Sequence, residues 1–298
     1  DKTIEDTDMK PLHFLFVTAS VLLAAATACI KEDLSACRSK NELILSYKGD
    51  GATEIFKDKV RRVEIFVFDS KGNLVYSGVL PQSDVDRAKT VLPTLDPGDY
   101  TIVCVGNTHS TRIDKVVVGD FTKTLFGPEA QFGSGTVTGA DSLYFASKRF
   151  TVTDYDAADA IPFKSAHYKV LVEVLADGVI LDALTTLTVT GLSPYTNFAG
   201  DVHGDLVHYH PAMNRSSSMV VSRFNIKRNK DFGNTEVVLT TSAGVEVARI
   251  NVGEFLRDHP EIDVSKHECL IPIRIVFTSA GIEIKVPEWY AQHVNPEF

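Results

Sequence analysis

Val63-Glu-Ile-Phe-Val-Phe68, Asp69-Ser-Lys-Gly72-Asn73 and Leu74-Val-Tyr76 decide the fold class. β-Branched and aromatic residues flank a connection whose Gly72 can take positive φ, which is the signature of an antiparallel hairpin. Upstream, Glu42-Leu-Ile-Leu-Ser-Tyr47 has the same strand composition. Downstream, Leu95-Asp-Pro97-Gly98-Asp-Tyr100 leads into Thr101-Ile-Val-Cys-Val105. Pro97 fixes φ at the turn and Gly98 relaxes the next position, so the chain enters a strand abruptly. Tyr100, Ile102 and Cys104 fall on one side of that strand, and Thr101, Val103 and Val105 on the other. Both sides are largely apolar, as in a strand at the centre of a sandwich.

The pattern continues to the end of the chain. Residues 107–150 are rich in turns, with strands expected at Leu143–Ala146 and Arg149–Thr153. Thr153 to Pro162 (TDYDAADAIP) reads as the boundary between two domains. A second set of strands begins at His167–Leu175, turns at Asp177-Gly178 and continues through Leu184 to Val189. Ser218–Asn225, Thr235–Thr240, Val245–Ile250, Ile271–Phe277 and Ile282–Val286 follow, the last two joined at Ser-Ala-Gly281. One short helix is expected over Val252–Arg257, with Asn251 as its cap, Glu254 in capping position and Pro260 beyond its end. The fold class is all-β: two successive β-sandwiches over 41–155 and 156–298 rather than βαβ units.

The N-terminal region reads differently. Leu12 to Ala28 (LHFLFVTASVLLAAATA) is 17 residues without a formal charge, preceded by Met9-Lys10. A run that short suits a signal-peptide core, since a spanning helix needs about 20 apolar residues. The acidic DKTIEDTD ahead of it does not suit a signal n-region, so translation is expected to start at Met9. Ala26-Thr27-Ala28-Cys29 resembles the bacterial lipobox, in which the cysteine is lipidated and becomes the new N-terminus. Acyl chains contribute about 0.8 kcal/mol per buried methylene, so a multiply acylated Cys29 would hold the protein on a bilayer. Lys31-Glu32-Asp33 behind it resembles the Lys-acid-acid signal that sends Bacteroidetes lipoproteins to the outer face of the outer membrane.

Composition excludes some classes. Loss of residues 1–28 removes four acids and two bases, so the net charge moves from −9 to −7. An acidic chain without a basic cluster is not a nucleic-acid binder. Cys37, Cys104 and Cys269 allow one internal disulfide at most, and the sequence does not choose the pair. Asp201-Val-His203-Gly-Asp205-Leu-Val-His208-Tyr-His210 is the best metal candidate, but its spacing matches no compact zinc motif, so no metal or other cofactor is expected. No catalytic residues emerge: acids are unpaired, and Ser35 and Ser142 lack the strand–elbow–helix context of a nucleophile. Trp289-Tyr290 could form a glycan platform, though sealing the second core explains it better. Asp141-Ser142-Leu143 resembles a Bacteroidetes O-glycosylation site.

Cys29-Ile-Lys-Glu-Asp33-Leu-Ser-Ala-Cys37 resembles the opening of the Bacteroidetes family of fimbrial anchor lipoproteins. The similarity continues through Val63–Phe68 with its turn, Pro97-Gly98-x-Tyr100, Asn107, the second set of strands, Val252–Leu256 and the Ile284-to-Trp289 finish. It weakens over 108–150. The resemblance implies two tandem transthyretin-like sandwiches and a place in type V fimbriae, with the lipid end in the outer membrane and the protein contacting stalk or accessory subunits. It also implies that an anchor stays uncut at Arg38, after which related stalk subunits would be processed. A tip or accessory adhesin of the same fold, or a surface glycan-binding lipoprotein, is the alternative.

Overall fold

The computed structural model describes residues 40–133, 135–229 and 231–290. The apolar run 12–28, Cys29, Lys31, Glu32, Asp33, Cys37, Arg38 and the tail 291–298 lie outside the described residues.

Two sheets face each other in the first sandwich. One has the order β4-β1-β9, from β1 (Asn41–Ser46), β4 (Lys89–Val91) and β9 (Ala157–Pro162). The other runs β10-β8-β5-β2-β3, from β2 (Val63–Asp69), β3 (Leu74–Val79), β5 (Gly98–Gly106), β8 (Tyr144–Val152) and β10 (Lys164–Ser165). Every second side chain turns inward, so Leu43, Leu45, Ile65, Val67, Ile102 and Cys104 share one core. Helices α1 (Phe56–Lys59) and α2 (Gln82–Arg87), which the sequence did not announce, add Phe56 and Val85 to it.

The expected hairpin is β2–β3. Gly72 sits at φ 80°, and the Asp69 carboxylate accepts from the amides of Lys71 and Asn73 at 2.9 and 2.8 Å. Tyr100 donates its hydroxyl back to the Asp96 carbonyl at 2.8 Å, closing the corner from which β5 departs. Asn107 ends β5 in the left-handed region at φ 62°. Its side chain accepts from the Arg61 amide at 2.7 Å and donates to the Lys59 carbonyl at 2.8 Å, tying the strand end to α1.

Two stretches differ from expectation. Leu143–Ala146 and Arg149–Thr153 form one strand, β8, because β5 pairs with it without interruption from Gly98 to Gly106. The stretch 153–162 carries β9, which runs parallel to β1 over its whole length. Only Ile161 supplies a buried apolar side chain there, so the alternation was too faint to read.

A third sheet, β14-β13-β7-β6, covers the other side of β5. It combines β6 (Thr111–Ile113) and β7 (Leu125–Pro128) with β13 (Tyr195–Asn197) and β14 (Val202–His203). Phe126 and Phe198 pack there on Phe68, Val103 and Val105. The second half of the chain therefore lends strands to the first, and the sandwiches interlock.

The second sandwich faces β16-β17-β11-β20-β21 against β15-β12-β18-β19. Its strands are β11 (His167–Leu175), β12 (Leu184–Leu192), β15 (Val207–Tyr209), β16 (Asn214–Arg215), β17 (Met219–Lys227), β18 (Glu236–Thr241), β19 (Glu246–Asn251), β20 (Leu270–Thr278) and β21 (Gly281–Lys285). Val170, Val172, Leu187, Val189, Val237, Leu239, Ile271, Ile273 and Ile275 fill the space between. The Asp177-Gly178 turn extends into α3 (Gly178–Ala183), because the Asp177 carboxylate accepts from the Ile180 amide at 3.0 Å. The expected capped helix is α4 (Val252–Asp258), where Asn251 Oδ1 accepts from the Glu254 amide at 2.9 Å.

Gly191 in β12 has φ +72°, and a Cβ there would lie 1.8 Å from the Asn234 carbonyl oxygen. Relief would require backbone to move. Gly191→Ala should therefore cost roughly 3 kcal/mol or more in denaturant unfolding, well beyond an ordinary glycine-to-alanine change. A loss under about 1 kcal/mol would contradict this account of the β12–β18 junction.

Candidate functional site

Two places stand out: a latch where the sandwiches meet and an open seam along one side of the second.

The latch centres on Glu268, in the turn just before β20. Its carboxylate accepts a short hydrogen bond from the Tyr47 hydroxyl and meets the Lys169 ammonium at 3.0 Å and the Lys59 ammonium at 3.4 Å. The Tyr144 hydroxyl stands 3.4 Å away. Asp50 completes the arrangement by accepting from the His267 and Glu268 amides at 2.8 and 3.1 Å. Tyr47, Asp50, Lys59 and Tyr144 belong to the first sandwich, and Lys169, His267 and Glu268 to the second. Burial raises the Glu268 pKa, but the Tyr47 hydrogen bond and the two ammoniums outweigh it and hold the carboxyl down at about 2. Arg228 supports the loop from behind. It donates to the Val264 and Ser265 carbonyls at 2.9 and 3.1 Å, and its guanidinium lies 4.6 Å from the Tyr168 ring centroid.

A second polar tie holds the third sheet. Lys227, 1% exposed, donates to the Phe126 carbonyl at 3.1 Å and to Thr196 Oγ1 at 3.3 Å, with its ammonium 5.1 Å from the Phe126 ring centroid. It joins β17 to both β7 and β13. Burial pulls its pKa down to about 7, while the charge of Asp141 acts the other way.

The seam lies between β19 and β21, each the last strand of its sheet. The β20–β21 register places Ile282 and Ile284 beside Phe277 and Ile275, whose side chains belong to the core. Ile282 and Ile284 thus point inward, yet they are 44% and 37% exposed. The two sheets differ in strand number, five against four, and the space between their end strands β19 and β21 is left unfilled. The resulting cleft of about 300 Å³ is lined by Glu246, Val247, Ala248, Arg249, Ile282 and Ile284. A register shift in the β18–β19 pairing leaves Val247 as an extra residue facing it. Arg249, on the outer face, is held by Glu236 and Glu246.

The residues singled out by sequence are dispersed. Cys104 and Cys269 are free, buried thiols in different cores, so these two do not bridge each other. Burial pushes the Cys269 thiol up to about 12 and Cys104 higher still. His203 lies on β14 of the third sheet, where its Nε2 and Asn197 Nδ2 are 2.9 Å apart. His208 lies on β15 in a different sheet, and His210 Nδ1 stands 3.2 Å from Thr188 Oγ1. No group of three or more histidines, cysteines or acids capable of holding a metal occurs among the described residues. Asp141 is engaged by Ser110 and Thr111, and the Ser142 hydroxyl accepts from Asn225 Nδ2 at 3.0 Å. Trp289 packs with Tyr290 against Leu171, Val221 and Leu270 on the outer face of the five-stranded sheet, not within the core it was expected to seal. Among the described residues no helix is long and apolar enough to cross a membrane.

Sequence reading missed the latch and the seam. Tyr47 and Glu268 are 221 positions apart, and neither sits in a motif. The seam did leave a signal, the alternation Ile282-Glu-Ile284-Lys285, which shows an apolar face without showing that it is uncovered.

Comparison with known proteins gives the setting. The family model of fimbrillin-A associated anchor proteins Mfa1 and Mfa2 matches residues 34–295. The fimbrial anchor protein Mfa2 from Porphyromonas gingivalis is similar in fold, with TM-score 0.66 and 16% identity over 84% of this chain and 98% of that one. A candidate adhesin from Bacteroides ovatus gives TM-score 0.69 and 17% identity, covering 87% of this chain and 96% of that one. A candidate polysaccharide-binding protein from Bacteroides thetaiotaomicron gives 0.66 and 14%, covering 85% and 99%. Among curated proteins none matches.

The latch has a pH signature. The folded-state pKa of Glu268 lies below its ordinary value of 4.5, so its contribution is complete above that value and is lost as pH falls toward about 2. Unfolding free energy should drop by up to roughly 3 kcal/mol over that window on account of this group. In Glu268→Gln that component should vanish, with the variant less stable at pH 7 and the two proteins converging near pH 2. Parallel denaturation curves of the two proteins between pH 2 and 7 provide the check, and an unchanged acid slope in the variant would remove Glu268 from the account.

Proposed function

The chain belongs to the family of fimbrillin-A associated anchor proteins, and on that footing we propose that it is a lipid-anchored outer-membrane protein that holds a fimbrial subunit at the cell surface. The reading joins three parts: Cys29 as the acylated residue, Lys31, Glu32 and Asp33 as the signal for the outer face, and the two sandwiches as the body that meets a stalk or accessory subunit.

The observation that carries it is the position of β1. The chain passes from the Cys29 region into a strand gripped on both sides, antiparallel by β4 and parallel by β9. The Lys40 amide donates to Asp156 at 2.6 Å, and the Lys40 carbonyl accepts from the Ala157 amide at 3.1 Å, at the point where the strand begins. A pull toward the membrane therefore loads two hydrogen-bonded ladders in shear, where many bonds must fail together. The latch passes the load onward. An edge strand in the same position would peel one bond at a time. This is the connectivity required of a body with one end on a lipid and the other on a fibre. Trp289 is partly buried against β11, β17 and β20 on the outer face of the five-stranded sheet.

Cys29→Ala should move the protein from the envelope membrane to the soluble fraction, while wild type remains with membrane and carries fimbrial subunits in a pull-down. Envelope association that survives the substitution unchanged would end the lipid-anchor reading. Replacing Lys31, Glu32 and Asp33 together by alanine should leave membrane association intact and protect the protein from protease added to whole cells.

A further inference from the structure

We propose that the end of the first sandwich from which the chain leaves toward Cys29 is a membrane-docking surface, with Tyr155 and Val118 inserted at the interface of a zwitterionic bilayer. Its place beside a membrane rests on the lipid-anchor reading above; the capacity of the surface to enter a bilayer does not.

Strand register brings four loops to that end. β1 begins there, with Asn41 opposite Ala157 of β9. β8 stops at Val152 opposite Gly98, and β2 stops at Asp69 opposite Tyr100. The loops 70–73, 92–97 and 153–156 therefore share one end of the sandwich. Loop 114–120, between β6 and β7, joins them. Phe121 just beyond it stacks on Phe68 with ring centroids 4.1 Å apart, and a Cβ on Gly72 would lie 3.7 Å from the Gly119 carbonyl oxygen. The opposite ends of the same strands lead to Tyr47, Asn107 and Tyr144, so the latch lies at the far end.

Two large side chains project from these loops. Tyr155 is 81% exposed and Val118 is 86% exposed, with Val117 beside it also exposed. Single exposed apolar residues are ordinary on a protein surface. These two are distinguished by where they stand. Asp156, next to Tyr155, accepts from the Lys40 amide at 2.6 Å, which puts the tyrosine at the root of the tether. Ten residues, 30–39, separate Cys29 from Lys40, and such a length spans at most roughly 40 Å. An acylated Cys29 thus keeps this end of the body within reach of the bilayer. A tyrosine ring, apolar in its body and polar at its tip, suits the headgroup level.

Charge selects the kind of surface. The four loops carry five aspartates and two lysines, a balance that anionic headgroups oppose and zwitterionic ones do not. Two inserted side chains hold a protein weakly on their own. Added to acyl chains they supply a second contact, which fixes orientation: the tethered end faces the lipid and the latch faces away from it.

The test uses the full-length protein from the envelope, reconstituted in vesicles of brominated phosphatidylcholine, which quenches tryptophan within the bilayer. Trp289 is the one tryptophan of the chain, so Trp289→Phe gives a dark background. In it, Tyr155→Trp and Val118→Trp should each be quenched at least about threefold more than Val245→Trp, an exposed control on the second sandwich. Tyr155→Asp combined with Val118→Asp should melt like wild type, because both sites are solvated, and should stay with the membrane through its lipid. In that variant Lys71→Trp, on the 70–73 loop, should lose its quenching by about threefold. Quenching at 155 and 118 no greater than at 245, in protein that remains on the membrane, would refute the docking surface and leave the anchor reading standing. The surface would equally be refuted, and assigned to a protein partner, if the double aspartate variant released a fimbrial subunit without any change in quenching. If mass spectrometry finds Cys29 unacylated and the protein free of the envelope, the anchor reading fails. Adding the brominated vesicles to that free protein then decides the surface alone: quenching at 155 and 118 sustains it, and none overturns it.

Discussion

Val103 and Val105 leave β5 on the side opposite Ile102 and Cys104, and covering that second apolar face governs how the molecule is assembled. One sandwich can bury only one face of its central strand. The other face needs a further layer, and the first half of the chain provides only the short strands β6 and β7. Strands β13 and β14 complete that layer from the second half, bringing Phe198 onto Phe68. Once they are committed, the second sandwich has little freedom to turn. Lys227 is buried between β7 and β13 as a consequence, and the loop that carries Glu268 reaches the end of β1. A buried ammonium in contact with a carbonyl, a hydroxyl and a ring face is a poor source of stability, but it is sensitive to misplacement, which suits a junction that must form in one way.

What could be read in the sequence follows the range over which each interaction acts. The β2–β3 hairpin, the Pro97-Gly98-x-Tyr100 corner and the Asn251 cap depend on neighbours within about five residues, so their chemistry is written locally. β11 was legible from Val170, Val172 and Val174 because a nine-residue strand repeats its pattern. β9 was not, since alanines occupy the positions that larger residues would mark. The third sheet escaped for another reason: its strands have two to four residues, too few to show a period, and β7 meets β13 across about seventy positions. The latch is an extreme case. A tyrosine, two lysines and two acids become a unit only when both sandwiches are in place.

The latch and the seam are opposite solutions to exposed edges. At the latch every charged group has a partner, and the carboxylate is ionised far below its ordinary range because two ammoniums and a hydroxyl surround it. At the seam the charged side chains are paired but the apolar ones are left exposed. The first sandwich has unequal sheets as well, three strands against five, but Phe56 and Val85 from its short helices fill the difference. The second sandwich uses α4 at the end of β19 and leaves the side of β21 uncovered.

That asymmetry bears on how a surface protein avoids unwanted association. Exposed edges invite pairing with any other edge, and natural sheets discourage it with charges and bulges. Both devices are present: Glu283 and Lys285 point outward on β21, and the register shift at Val247 disturbs the edge of β19. These features oppose a flat partner arriving side by side. Between the sheets the cleft sets Ile282 and Ile284 beside Glu246 and Arg249, so its walls are part apolar and part charged. Charge and irregular register thus guard the edges themselves, while the two isoleucines between the sheets stay solvated because the shorter sheet ends at β19.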